Sequence, residues 1–170
     1  MKALSEERAA FLAKDFQRGF IDHCGFRAVR VEHGRFESEV VVEKRHRQQD
    51  GFIHAGVMAT MADHTAGYAA FTIVDPGFQI LTIEFKINFL RPAFGSTLRC
   101  RARIIRGGSR VIVAESEVFD IRDPEHEPHT AAKAMVTLMA VRREKLSPPT
   151  RRAARGVSKK RPGLRRGPGG

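Results

Sequence analysis

A chain of 170 residues with 42% hydrophobic content holds enough apolar material for the core of one ordinary domain. Its formal charge of +11 implies a polyanionic partner only if it is spread over the fold, and it is not. From Arg142 onward there are 11 Lys and Arg against the single acid Glu144, which leaves residues 1–141 at +1. Cys24 and Cys100 have neither CxxC nor metal-ligand spacing, so neither a disulfide framework nor a zinc site is indicated, and a reducing compartment is the natural reading. No apolar run nears the roughly 20 residues of a bilayer span, and the charged start (Lys2, Glu6, Glu7, Arg8) is unlike a signal peptide. A soluble, cytoplasmic protein is the expectation.

Ala9, Phe11, Leu12, Phe16 and Phe20 recur at mostly helical spacing, with Ser5 as N-cap and Gly19 near the end, which predicts a short amphipathic helix over 5–20. Residues 26–31 and 35–42 read as a hairpin reversing at His33-Gly34. Residues 44–53 are too polar for a core element. The segment 54–71, rich in alanine and free of proline, predicts a helix of about 17 residues. From Gln79 the period becomes two: Ile83, Phe85, Ile87 and Phe89 alternate with Thr82, Glu84, Lys86 and Asn88, giving a strand with one apolar face. Strands follow over 97–105, 110–121 and 130–142, with a turn at Gly107-Gly108 and a loop over 123–129. Short links between the late strands imply a largely antiparallel sheet with the long helix on one face, an α+β architecture. From Ser147 the chain has almost nothing to bury and is expected to be disordered.

Asp63 is the one acid between Gly51 and Val74. Its helical neighbours Ala59, Thr60, Ala66 and Gly67 are mostly small, so another group can approach it closely. Such a carboxylate either meets solvent, caps a loop or carries chemistry, and the helix alone admits all three. At the helix start, Ala55 and Gly56 have little bulk, and their free amides suit a developing oxyanion. Ala55 and Asp63 are eight residues apart, about 12 Å of rise, too far for one carbonyl to meet both. Antiparallel helices paired across a twofold axis remove that obstacle by bringing the helix start of one chain to Asp63 of the other.

Over residues 20–142 the chain resembles the hotdog-fold thioesterases of the phenylacetate-degradation (PaaI-like) type. The resemblance rests on Gly51-Phe-Ile-His54-Ala-Gly56 followed by Ala62-Asp63-His64 and Gly67, and on Thr82-x-Glu84-x-Lys86-Ile-Asn88-Phe-Leu-Arg-Pro92-Ala. It implies an antiparallel sheet wrapped around the long helix, with residues 1–21 as an N-terminal helix, 22–143 as the hotdog domain and 144–170 as a basic tail. The implied activity is hydrolysis of an acyl-coenzyme A thioester by a homodimer or homotetramer without a cofactor. By the same resemblance Asp63 is the catalytic carboxylate, as nucleophile or general base, and Ala55 donates its amide to the thioester oxygen. His54 shapes the helix start, Gln48 contacts the carbonyl or water, and Thr82 holds the attacking water. Ala55 departs from the family's usual glycine; the amide is retained, but the methyl narrows the approach.

Gly56 joins the list as a substrate contact, and Arg91, Arg106 and Arg110, at strand ends, are candidates for coenzyme A phosphates or ordinary surface charges. His64 is read as structural, because adjacent helix residues point about 100° apart. His126 and His129 lack companions at metal-ligand spacing. Phosphate-binding glycine loops and a nucleophile-elbow serine are absent. The competing readings are a hotdog dehydratase or hydratase, whose histidine and carboxylate stand at other spacings, and a non-catalytic acyl-CoA or nucleic-acid-associated module resting on the basic tail, which binds polyanions without sequence specificity.

Overall fold

The computed structural model of the chain describes residues 4–123, 125 and 127–146. Two helices, α1 (Glu6–Phe16) and α2 (Phe20–Cys24), lead into β1 (Arg27–Glu32) and β2 (Arg35–Val41). A 3₁₀ turn (Lys44–His46) and a loop precede α3 (Ala55–Phe71), followed by β3 (Phe78–Phe89), β4 (Thr97–Gly107), β5 (Val111–Ile121) and β6 (His129–Arg142). The basic tail begins beside a second 3₁₀ turn, Arg143–Lys145; the disorder expected from residue 147 lies outside the described residues.

The single helix expected over 5–20 is two. Ser5 caps α1 by accepting from the Arg8 amide at 3.2 Å, but Gly19, at φ 64 and ψ −129, breaks the path before Phe20. Backbone of that kind is open to glycine and strained for other residues. The apolar stripe is correspondingly cut short: Leu12 and Phe16 are buried, whereas Phe11 and Phe20 are exposed.

The six strands pair antiparallel in the order β1-β2-β4-β5-β6-β3. Consecutive strands β3 and β4 are therefore not neighbours, contrary to what short connections suggest. The chain passes from β2 through α3 to the far edge, lays β3 against β6, and returns over residues 90–96 to place β4 beside β2. One sheet face alternates outward charge with inward apolar groups such as Phe36, Val40, Leu98, Ile112, Val118 and Leu138, all buried.

Across that inner face lies α3, in contact with β2 to β6. Its inward residues mix the small Ala62, Ala66 and Ala69 with the larger Met58, Met61, Tyr68 and Phe71, all buried. Buried hydroxyls add to this packing. Ser116 donates to the Ala62 carbonyl at 2.7 Å and Thr65 to the Met61 carbonyl at 2.6 Å. With its own proton so committed, Thr65 accepts from Ser38 at 2.7 Å. The Cys100 thiol lies in the same seam, and burial pushes its pKa up to about 12. At the far end Thr72 accepts from the Gly34 amide at 2.7 Å, tying the β1–β2 reversal to the helix.

Candidate active site

The helix start is built by His54. Its backbone is extended, and its Nδ1 accepts from the Gly56 amide at 2.9 Å, which places the proton of the neutral ring on Nε2. A methyl at position 56 would sit 3.0 Å from that Nδ1, so glycine lets the imidazole lie over the turn. One sequence expectation changes as a result: the Gly56 amide is already engaged and is not open to a ligand. The Val57 amide is engaged too, by the His54 carbonyl at 3.0 Å. Ala55 is exposed, and its amide has no partner among the described residues. One amide, not two, is left for an oxyanion.

In front of Ala55 lies a cleft of about 470 Å³ whose lining includes Gln48, His54, Met58, Phe89 and Arg91. The loop carrying Gln48 is fixed through its backbone, with Gln48 N–H donating to Phe52 O at 2.8 Å and Gly51 N–H to Gln48 O at 3.0 Å. The Gln48 side chain itself has no hydrogen-bond partner among the described residues. An amide group held at a cleft wall with both functions uncommitted can donate to a carbonyl or orient water.

Asp63 does not line this cleft. It lies about 12 Å along the helix from Ala55, half-buried, with Thr82 donating to its Oδ1 at 2.8 Å. The meeting of these two side chains depends on a feature the alternating pattern does not reveal. Between Thr82 and Glu84 the β3–β6 register shifts at a bulge. Thr82 pairs with Leu138, an inward residue, and after the bulge Phe85 pairs with Val136, also inward. Paired residues share a face, so Thr82 faces the helix instead of joining Glu84, Lys86 and Asn88 in one polar row. The bulge re-aims it toward Asp63.

Within one chain the candidates thus form two groups, Gln48, His54, Ala55 and Arg91 around the cleft, and Asp63 with Thr82 farther along α3. Arg106 and Arg110 are exposed in neither. They sit at the β4–β5 reversal, beside Gly107, which approaches Ile73 just past the other end of α3. His64 packs its ring against Phe16 and Tyr68 and donates from Nε2 to the Phe16 carbonyl at 3.0 Å. Burial pushes its pKa down, against the opposing pull of that carbonyl and of Asp63 and Asp15. His126 lies outside the described residues. Sequence reasoning missed Asp120 and Arg47, which hold the wall of the cleft opposite the helix. The available signal was Asp120 itself, an acid at an inward position of β5 in line with Ala114, Ser116 and Val118.

Comparisons with known proteins identify the family and the fold. A family model described as Thioesterase superfamily matches residues 50–125. The crystal structure of a thioesterase family protein from Silicibacter pomeroyi is 33% identical, with a TM-score of 0.74, and the alignment covers 79% of this chain and 98% of that one. A Saccharolobus solfataricus protein named as an esterase is 34% identical over 94 residues, 55% of this chain and 66% of its own length. The 1,4-dihydroxy-2-naphthoyl-CoA hydrolase of Listeria monocytogenes is 26% identical over 102 residues, 60% of this chain and 83% of its length. The chain belongs to the thioesterase superfamily and has its hotdog fold. Thioester hydrolysis is the activity that membership carries. Among the described residues no helix is long and apolar enough to cross a membrane.

Proposed function

We propose that the protein hydrolyses an acyl-coenzyme A thioester to a carboxylic acid and coenzyme A at sites shared between two copies of the chain. The observation that carries this reading is the pairing of an open Ala55 amide with a carboxylate, Asp63, whose Oδ2 has no partner among the described residues, on one helix but about 12 Å apart. A second copy closes that gap if its α3 runs antiparallel to the first. The flank of α3 around Asp63 favours such an approach, since a methyl built at Gly67 meets nothing within 4 Å. So does β3, an edge strand of 12 residues with Ile83, Phe85 and Phe89 exposed. An unpaired apolar edge of that length is ordinarily covered.

In the shared site the thioester oxygen takes the Ala55 amide and the Gln48 side chain, which stabilise the charge that grows on it. Asp63 of the second copy acts as base on water or attacks the carbonyl carbon itself. By the first route, the water oxygen bonds to the carbonyl carbon as its proton passes to Asp63; the C–S bond then breaks, and the sulfur takes that proton back from Asp63 and leaves as coenzyme A thiol. Thr82 has its proton committed to Asp63, so it can only accept from that water. Arg91, exposed at the cleft rim, is placed to meet a coenzyme A phosphate. The test is thiol release across aryl, medium-chain and long-chain acyl-CoAs, together with sedimentation. Release of thiol by a species of at least two chains is expected. An active, strictly monomeric species refutes the shared site, and no release from any acyl-CoA refutes the activity.

A further inference from the structure

Opposite the helix start, the cleft wall includes Arg91, Pro92 and Ala93, and in the segment 91–95 the Phe94 and Gly95 amides and the Pro92, Phe94 and Gly95 carbonyls are all held by charged side chains outside the cleft. The Asp120 carboxylate, 1% exposed, accepts from the Gly95 amide at 2.8 Å, the Phe94 amide at 3.3 Å and Arg122 Nε at 2.9 Å. Arg122 also donates to the Pro92 carbonyl at 3.3 Å, and its guanidinium carbon lies 3.7 Å from the centre of the Phe94 ring. Arg47 takes two more carbonyls, donating to Phe94 O at 3.3 Å and Gly95 O at 3.0 Å, and adds Gly51 O at 2.9 Å on its own loop. The contact is close enough to require glycine at position 95, where a methyl would fall 2.3 Å from the Ile121 carbonyl.

A buried carboxylate is tolerated only when paired and hydrogen-bonded, and a network with every member satisfied is rigid. This one is coupled to the helix start: Ala93 O accepts from the Ile53 amide at 2.7 Å, two residues before Ala55. We propose that Asp120 and Arg47 are positioning residues, which clamp the 91–95 wall and, through Ile53, aim the Ala55 amide at the thioester oxygen. The inference rests on the site described above, and neither residue touches the substrate in it.

Arg47→Lys keeps the positive charge but loses the planar fork that reaches three carbonyls; Asp120→Asn keeps one acceptor but loses the charge pairing with Arg122. Both should lower kcat for acyl-CoA about tenfold or more with KM within about threefold, because an oxyanion donor is misaimed while the acyl and coenzyme surfaces are untouched. Amide hydrogen exchange at Ile53, Phe94 and Gly95 should speed up in the same variants. A kcat near that of the parent, measured on a variant shown to be folded, overturns the proposal even if its melting point falls; so does unchanged exchange in a folded variant. If Asp120→Asn does not fold, Arg47→Lys, at a partly exposed position, decides. If the parent chain releases no thiol, the activity reading fails, and exchange at Ile53 still decides whether the clamp holds the helix start.

Discussion

Ala55→Pro isolates the proposed oxyanion donor. Proline removes the one amide at the helix start that has no partner among the described residues, and Ala55 is the first residue of α3. At that position proline is well tolerated, because its fixed φ suits the helix and the missing N–H makes no intrahelical bond. The preceding residue is also compatible: His54 has φ −64 and ψ 135, within the extended region that a following proline demands. The His54 cap on Gly56 is one residue beyond the change. The fold should therefore be preserved to within about 1 kcal/mol. Losing an oxyanion donor typically costs about 10² to 10³ in kcat, or roughly 3 to 4 kcal/mol of transition-state stabilisation. The assay is thiol release at saturating acyl-CoA, beside a denaturant titration. A folded Ala55→Pro protein with kcat within about threefold of the parent would show that the Ala55 amide is not the donor.

Asp63→Asn should keep the fold, since Oδ1 still accepts from Thr82, yet lower turnover about 10²-fold or more with acyl-CoA binding retained; a fallen melting point with unchanged turnover would mark the carboxylate as structural. Mixing that variant with Ala55→Pro should recover about a quarter of the parent's activity, because random exchange makes half the dimers mixed and each mixed dimer holds one intact site of two; no recovery after verified exchange contradicts the shared site. His64 is pushed below its ordinary value of 6.5 by burial, so the unfolded state binds the proton more readily and stability should fall as the pH drops from about 6.5 through the depressed folded pKa. His64→Gln should flatten that limb of a melting-temperature profile, and an unchanged limb assigns it to other groups. Deleting residues 147–170 should leave melting point and turnover largely intact while abolishing any salt-sensitive binding to polyanions, and loss of folded, active protein would move the domain boundary.

The long helix and the period-two strands were legible because each follows from a local rule. Alanine-rich, proline-free sequence fixes α3, and alternation fixes β3 to β6 within a residue or two. What was not legible depends on contacts between distant segments. Nothing near Gly19 shows that its φ becomes positive and that a separate helix, α2, starts there. The position of β3 at the sheet edge follows from where α3 delivers the chain, which short-range turn reasoning does not reach. The bulge at Ile83 inverts the face of Thr82 without leaving any break in the alternation of residue types. The helix start was read half correctly for a similar reason: small residues marked it as accessible, but only the rotamer of His54 shows that the Gly56 amide is consumed. The clamp had one sequence trace, the inward Asp120, and its partners Arg47 and Arg122 look like any other exposed arginines until the sheet closes.

The small residues of α3 act on its two flanks in different ways. Toward the sheet, alanines bring the helix backbone close enough for Ser116 to reach the Ala62 carbonyl and for Ser38 to reach Thr65. The first of these bonds lies next to Asp63, and both help to fix the rotation of the helix together with buried Met61 and Tyr68. Toward the open side, Ala59 and Gly67 leave Asp63 reachable, with Thr82 holding one of its oxygens. Larger residues on the inner flank would lift the helix from the sheet and lose the hydroxyl bonds, while larger residues on the outer flank would bar an approaching helix or substrate. The stretch of α3 around Asp63 is therefore constrained on both flanks by the same requirement for small side chains. That double constraint accounts for a helix that is apolar nearly all round yet carries one carboxylate midway along it.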